Sequence, residues 1–469
     1  MTKDIRLNAF IMNTVGHVAP GLWTHPRDHT ADYRRLTYWT ELAQLLERGL
    51  FDGMFIADVI GVYDVFHGDR DFAIRHAAQV PVNDPLQLVT AMALVTRHLG
   101  FGVTSSVSYE HPYTFARRIS TLDHLTEGRI GWNIVTSYLD SGARSVGQDA
   151  LAAHDDRYAY ADDYLDVCYK LWEASWEDDA VLRDRSRGVF ADPDKVHAIR
   201  HRGPHFHVDG VHLCEPSPQR TPVLYQAGGS GRGRQFAARH AEAVFIGAPT
   251  TAILKTYVDS VRASAVAQGR AADDVKVFNM HTVVLGRTDA EAEEKHRDYR
   301  RHVNRDAALT LLSGWTGIDL GKYELDEPLR HVKTNAGQSA VETFSTADPA
   351  RTWTIRELAD WVGIGGRGPV TVGSPAAVAD ELEAWMDETG SDGFNLGSVV
   401  MPETFKDVVE LLVPELQRRG RYKRDYAAGT FRDKLFGRGP RLAPSHRGRQ
   451  VKIDDAGEPA ARESVAAGE

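Results

Sequence analysis

The chain has 469 residues, 42% hydrophobic and 26% charged, a globular balance that excludes wholesale disorder, collagen-like structure and a coiled coil. Its 55 Lys and Arg against 65 Asp and Glu leave a formal charge of −10, the wrong sign for a partner that is a phosphate backbone or an anionic membrane. Length allows about three domains at roughly 150 residues each, yet a barrel enzyme runs past about 400 residues as one domain.

In chain order, short apolar runs rich in β-formers alternate with stretches of helical period. Strands are predicted at 7–13, 51–58, 101–106, 129–137, 223–227, 243–247, 275–285 and 394–401, and helices at 38–50, 84–98, 112–125, 158–172, 232–241 and 248–268. Eight such runs separated by helices predict a closed (β/α)8 TIM barrel rather than an open doubly wound sheet. The barrel domain is expected over 1–426, with insertions at 173–222 and 304–373 sitting over the active-site mouth. The second insertion ends in GIGGRGPVTVG, whose glycines suit either a mobile hinge or a tight loop before the helix that Ser374 and Pro375 start. Residues 427–469 lose periodicity and read as a C-terminal arm or disordered tail.

Cys168 and Cys214 are too few for a disulfide framework and lack the paired spacing of a zinc site, which points to a reducing compartment. Cys168 shares a helical face with Ala161, Leu165 and Trp172 and reads as a core thiol. The start MTKDIRLNAF has no signal-like apolar core, and no run approaches about 18 apolar residues, so a cytoplasmic location is expected. No metal is expected: His197, His201, His205, His207 and His212 crowd the first insertion without a Cys or HExxH pattern.

Chemistry in a parallel barrel sits where strands end, so polar residues on apolar strands are informative. Asp58 closes the second strand, either facing a ligand or capping the next loop. Thr104 and Asn133, if inward, place a hydroxyl and an amide side by side, bonded to each other or to a polar ligand. His154 and Tyr158 are four apart on one helical face and could meet one ligand, or simply start and pack a helix. In VLYQAGGSGRGRQ a strand enters a Gly-Gly-Ser-Gly turn and then a helix start, which suits a phosphate cradle of backbone N–H groups with Ser230, Gly231 and Arg232. The turn fails the dinucleotide and Walker patterns. It narrowly misses the hydrolase elbow G-x-S-x-G, leaving a serine hydrolase with Ser230 as nucleophile as the alternative of another class.

The stretches ERGLFDGMFIAD, FARRISTLDHLTEGRIGWNIVTS, HDDRYAYADDYL and SPQRTPVLYQAGGSGRG, with DGFNLG near the end, resemble the flavin-dependent monooxygenases of the nitrilotriacetate, dibenzothiophene sulfone and pristinamycin group, within the bacterial luciferase-like superfamily. The match runs from about residue 7 to 422, and GVYDVFHGD, CEPSPQRTPV and SGWTGIDL are most similar to its dimethylsulfide monooxygenase branch. The resemblance implies a luciferase-like (β/α)8 barrel using reduced FMN and O2, with NAD(P)H acting only through a separate flavin reductase, and a homodimer or homotetramer is expected. It carries flavin contacts onto Asp58, Thr104, His154, Tyr158, Ser230 and Gly231, with Arg157 a weaker phosphate contact. Thr104 and Asn133 would stand beside the flavin ring and help position oxygen; His17, after the first strand, is the candidate to manage a proton or touch substrate, or else a plain loop histidine. Phe10, Met12, Trp23, Tyr63 and Tyr109 are expected to wall a dry pocket. With no cationic cluster foreseen there, oxidation and cleavage of a small neutral substrate is expected, best an organosulfur compound split at its C–S bond as dimethylsulfide would be. The rivals are riboflavin cleavage to lumichrome, oxidative dehalogenation of an aromatic, and a deazaflavin-dependent dehydrogenase on the same barrel.

Overall fold

The computed structural model describes residues 3–347 and 351–451. Eight strands carry the architecture: β1 (Arg6–Met12), β2 (Gly53–Ala57), β3 (Gly100–Ser106), β4 (Ile130–Val135), β5 (Val223–Gln226), β6 (Ala243–Ile246), β7 (Lys276–Leu285) and β8 (Gly393–Gly397). Each is parallel to its neighbour, and β8 pairs both with β7 and with β1, so the sheet closes as a (β/α)8 barrel. Each overlaps a predicted window, with β1, β3 and β8 starting one residue ahead of theirs. Among the described residues no helix is long and apolar enough to cross a membrane.

Alternation along each strand sorts its side chains. Leu7, Ala9 and Ile11 of β1, with Met54 and Ile56 of β2, join the large core between sheet and helices. The opposite face, with Phe10, Phe55, Tyr225, Phe245, Phe278 and Met280, fills the barrel interior. Glycines on that inner face make room at its lower end: Tyr225 lies about where Cβ atoms on Gly102 and Gly131 would press. Phe431 stands where a Cβ on Gly100 would be.

Phe431 comes from the far end of the chain. Residues 427–451 continue as the helix Phe431–Phe436 and a final turn, Arg447–Gln450, which close the bottom of the barrel. Phe431 stacks on Tyr225 at 6.2 Å, and Arg432, almost fully buried, pairs with Glu242 through two of its nitrogens at 2.7 and 2.8 Å. The segment is thus a packed plug as far as Val451; residues 452–469 lie outside the described ones.

The two insertions lie at different ends of the barrel. Residues 173–222 leave the C-terminus of the helix His154–Tyr169 and lead into the start of β5, so they form an αβ connection at the lower rim. They carry two antiparallel hairpins. Their histidines pair locally, His197 with Glu177, His201 with Asp163 and His212 with Ser120. The expectation that this insertion covers the mouth is therefore corrected. Residues 304–373 belong to the βα connection after β7, whose long upper half pairs with an extra strand, Val370–Gly373. Helices Arg305–Thr316, Gln338–Ser345 and Ile355–Val362 build a small core of their own around Leu312, Phe344, Trp353 and Leu358 and roof the barrel mouth.

Candidate active site

One cavity occupies the C-terminal mouth of the barrel. Its floor is Phe10, Met12, Phe55, Phe245 and Met280, an apolar layer delivered by alternation on four strands. Above it stand Thr104 of β3 and Asn133 of β4, neighbours in register. Asn133 Nδ2 donates to Thr104 Oγ1 at 2.8 Å, while Asn133 Oδ1 is buried without a partner. With its oxygen accepting from Asn133, the Thr104 hydroxyl keeps its own proton for a group in the cavity.

Asp58 lies one residue beyond β2, where the chain turns and carries the carboxylate from the outward face that alternation predicts into the cavity lining. Burial pushes its carboxyl up to about 7; the Val59 backbone opposes this and the charge of Asp84 adds to it. His17 lines the cavity with its ring edge-on to Phe10 at 4.4 Å and its Nδ1 unpartnered. Burial drives its imidazole down to about 3, only partly offset by the Phe10 backbone, so at neutral pH it is an uncharged wall with no second proton to donate.

On the rim, the helix His154–Tyr169 and the helix Gly231–His240 aim their first turns at one place. Ser230 caps the second helix, its Oγ accepting from Gly233 N at 3.0 Å. The same oxygen lies 3.3 Å from His154 Nε2, and His154 Nδ1 lies 2.8 Å from Asp155. The N–H groups of Gly231 and Arg232 precede the first intrahelical bond and stay free for an anion. A Cβ on Gly229 would touch Ser339, and one on Gly233 would lie 2.8 Å from the Tyr158 hydroxyl, so the glycines are what let the backbone approach this pocket. Gln226 offers a buried, unpartnered Oε1 beside Tyr158. Gly231 itself does not line the cavity, and Arg232 is turned away to Asp162 at 2.6 Å. Arg157 takes the cationic place instead: it lines the cavity, with its Nη groups on the carbonyls of Ala152 and Asn335.

Ser230, His154 and Asp155 also trace the chain of contacts a hydrolase triad would need. Asp155, however, is 78% exposed, whereas such a carboxylate works by being buried against the imidazole.

Three expected wall residues stand elsewhere. Trp23 sits in the single turn Leu22–Thr24, 41% exposed, beside a separate hollow with Tyr38 and Met401. Tyr63 is buried one layer behind the wall, its hydroxyl donating to Gln79 Oε1 at 2.7 Å and lying 2.5 Å from the Tyr138 hydroxyl. Tyr109 directs its hydroxyl at Gly142. All three follow strand ends, where alternation no longer tells which way a ring faces. In their place the second insertion supplies Trp315, residues 336–339 and Arg367. Phe55 and Phe245 were readable from strand alternation; Trp315 and Arg367 carried no periodic signal, only the glycines beside Arg367.

The family model described as luciferase-like monooxygenase matches residues 14–393. Dimethyl-sulfide monooxygenase of Hyphomicrobium sulfonivorans is 50% identical over 437 residues, 93% of this chain and 91% of that protein. Long-chain alkane monooxygenase of Geobacillus thermodenitrificans (strain NG80-2) is 50% identical over 447 residues, 95% of this chain and 97% of that protein. A crystal structure of riboflavin lyase with modified FMN and riboflavin superposes with a TM-score of 0.90 at 37% identity, covering 95% of this chain and 99% of that one.

Proposed function

This chain belongs to the luciferase-like monooxygenase family, and we propose that it is the oxygenase of a two-component system that takes reduced FMN from a separate NAD(P)H:flavin reductase and, with O2, oxidises a small organosulfur compound. The observation that carries this reading is the joining, in one cavity, of an anion cradle at Ser230 to an apolar chamber holding the Thr104–Asn133 pair. These residues fit a flavin: Ser230, at the cavity rim where the helix Gly231–His240 begins, and Arg157 suit its phosphate. The unpartnered Oε1 of Gln226 and Oδ1 of Asn133 suit its hydroxyl and N–H donors. When bound, reduced FMN supplies the electrons that activate O2.

The protein's share is to bind, orient and keep dry. Phe10, Phe55, Phe245 and Met280 exclude water from the chamber floor. Thr104 offers an O–H and Asn133 an acceptor, both fixed by their mutual bond, to hold polar atoms in one orientation. Asp58, its carboxyl raised by burial to about 7, can keep or release a proton close to neutral pH.

The test is an anaerobic fluorescence titration with reduced FMN. Saturable binding weakened by S230A and Y158F is expected; no binding, or binding indifferent to both, overturns the reading. The likeness to riboflavin lyase favours a second reading, riboflavin as the molecule oxidised. Lumichrome formed from riboflavin in the presence of FMN, reductase and O2 would select it.

A further inference from the structure

The roof of the cavity holds a cation that the neutral-substrate expectation did not foresee. Arg367 lies in the loop between Ile355–Val362 and Val370–Gly373, its Cβ side against Gly247 just beyond β6. Its guanidinium reaches across the mouth, 5.7 Å over the Trp315 ring and close enough to Tyr63 and Tyr138 for their phenols to act on it. No carboxylate is among the groups acting on it, and no Asp or Glu of the described residues pairs with it. Asp58, the acid in the same lining, feels Asp84 rather than Arg367. Arg367 is only partly buried, but a guanidinium that lines a cavity without an acidic partner leaves its charge for a bound group to balance.

The loop is also built to hold that side chain still. Gly365 and Gly366 have φ of +90° and +61°, conformations that favour glycine. A Cβ on Gly366 would press on Val18 and Met280, and one on Gly368 would meet the Met280 backbone. These contacts make the segment a tight turn seated on β7. Trp315 Nε1 donates to the Tyr63 hydroxyl at 3.2 Å, so the aromatic wall around the guanidinium is itself tied together.

We propose that Arg367 forms an anion-binding subsite in the cavity roof, so that the molecule this enzyme oxidises carries a sulfonate, sulfinate or carboxylate group. That the bound molecule is oxidised rests on the monooxygenase reading; the binding site stands on its own. Planar guanidinium donors in a sheltered aromatic setting suit such oxyanions, and the bond is charge-assisted.

The experiment measures binding of benzenesulfonate and of its neutral counterpart methyl phenyl sulfone to the flavin-free full chain by calorimetry, in wild type, R367Q, R367K and S230A. Wild type is expected to prefer the sulfonate by about tenfold or more. R367Q should lose about that factor for the sulfonate while changing the sulfone less than about twofold, R367K should recover part of it, and S230A should leave it intact. Undetectable sulfonate binding, equal affinity for the two ligands, an equal loss of both in R367Q, or a loss that follows S230A rather than R367Q overturns the proposal. Neither flavin nor O2 is present, so the two ideas fail separately. Intact Arg367-dependent binding without flavin-dependent turnover would sink the proposed function alone, and the reverse would sink only the subsite.

Discussion

Replacing Ser230 by Ala removes one oxygen that does two jobs, and the two can be measured apart. As N-cap it accepts from Gly233 N at 3.0 Å, and loss of such a cap costs about 1 kcal/mol of stability, about 2 °C or less in Tm for a chain of this size. As part of the anion cradle it would hydrogen-bond a flavin phosphate, a charged partner worth about 1.5–3 kcal/mol, or about 10- to 150-fold in Kd for reduced FMN. S230G separates these effects, because glycine caps helices nearly as well as serine but has no hydroxyl. The assay is anaerobic titration of tryptophan fluorescence with reduced FMN and, in parallel, reduced riboflavin, together with thermal melts. S230A should lose both Tm and FMN affinity, S230G should recover Tm but not FMN affinity, and riboflavin, which lacks the phosphate, should bind all forms alike. FMN affinity unchanged within about twofold, or riboflavin weakened as much as FMN, refutes the assignment of the phosphate to this turn.

N133A should keep FMN affinity within about threefold, since it removes a ring-side contact and not the cradle, yet lower the fraction of consumed O2 recovered as product rather than hydrogen peroxide; unchanged coupling removes Asn133 from the chemistry. F431A should cost about 3–5 kcal/mol in urea unfolding by emptying the barrel's lower end, and G100A, whose Cβ overlaps that ring, should be far less damaging in the F431A background than alone. Asp58 sets a pH signature in the flavin-free protein. Its folded pKa of about 7 lies above the unfolded 3.8, so the folded state binds the extra proton between them, and stability should fall as pH rises from about 4 to about 7, by at most about 1.4 kcal/mol per unit. D58N should abolish that decline in chemical denaturation at fixed pH values; an unchanged slope contradicts a buried, near-neutral Asp58.

What the chain reveals before folding follows from which signals are local. All eight barrel strands were legible because each is a short apolar run whose alternation serves two cores at once, as Leu7, Ala9 and Ile11 outward and Phe10 inward illustrate. Thr104 and Asn133 were legible as polar interruptions on such strands. Beyond a strand end the period vanishes, and with it any rule for where Tyr63, Tyr109 or Trp23 points. Phe431 gave no sign of plugging a barrel, since its helix spans only Phe431–Phe436 and its partners, Gly100 and Tyr225, are more than 200 residues away in sequence. The first insertion was misplaced for a reason now plain. Whether a long loop roofs the mouth depends on its lying after a strand or before one, and 173–222 precedes β5.

The central claim, that this chain spends reduced flavin and O2 on an organic substrate, is tested most directly by isotope. Wild-type protein is incubated under 18O2 with FMN, a flavin reductase and NADH against dimethyl sulfide, aromatic sulfones, sulfonated and carboxylated thioethers and riboflavin, and products are read by mass spectrometry. One 18O atom is expected per turnover, carried by a single organic fragment, with any aldehyde trapped as it forms before its oxygen exchanges with water, and only when FMN, reductase and O2 are all present. Product formed without flavin or without oxygen, or a sulfoxide or trapped aldehyde whose new oxygen comes from water, would contradict the claim.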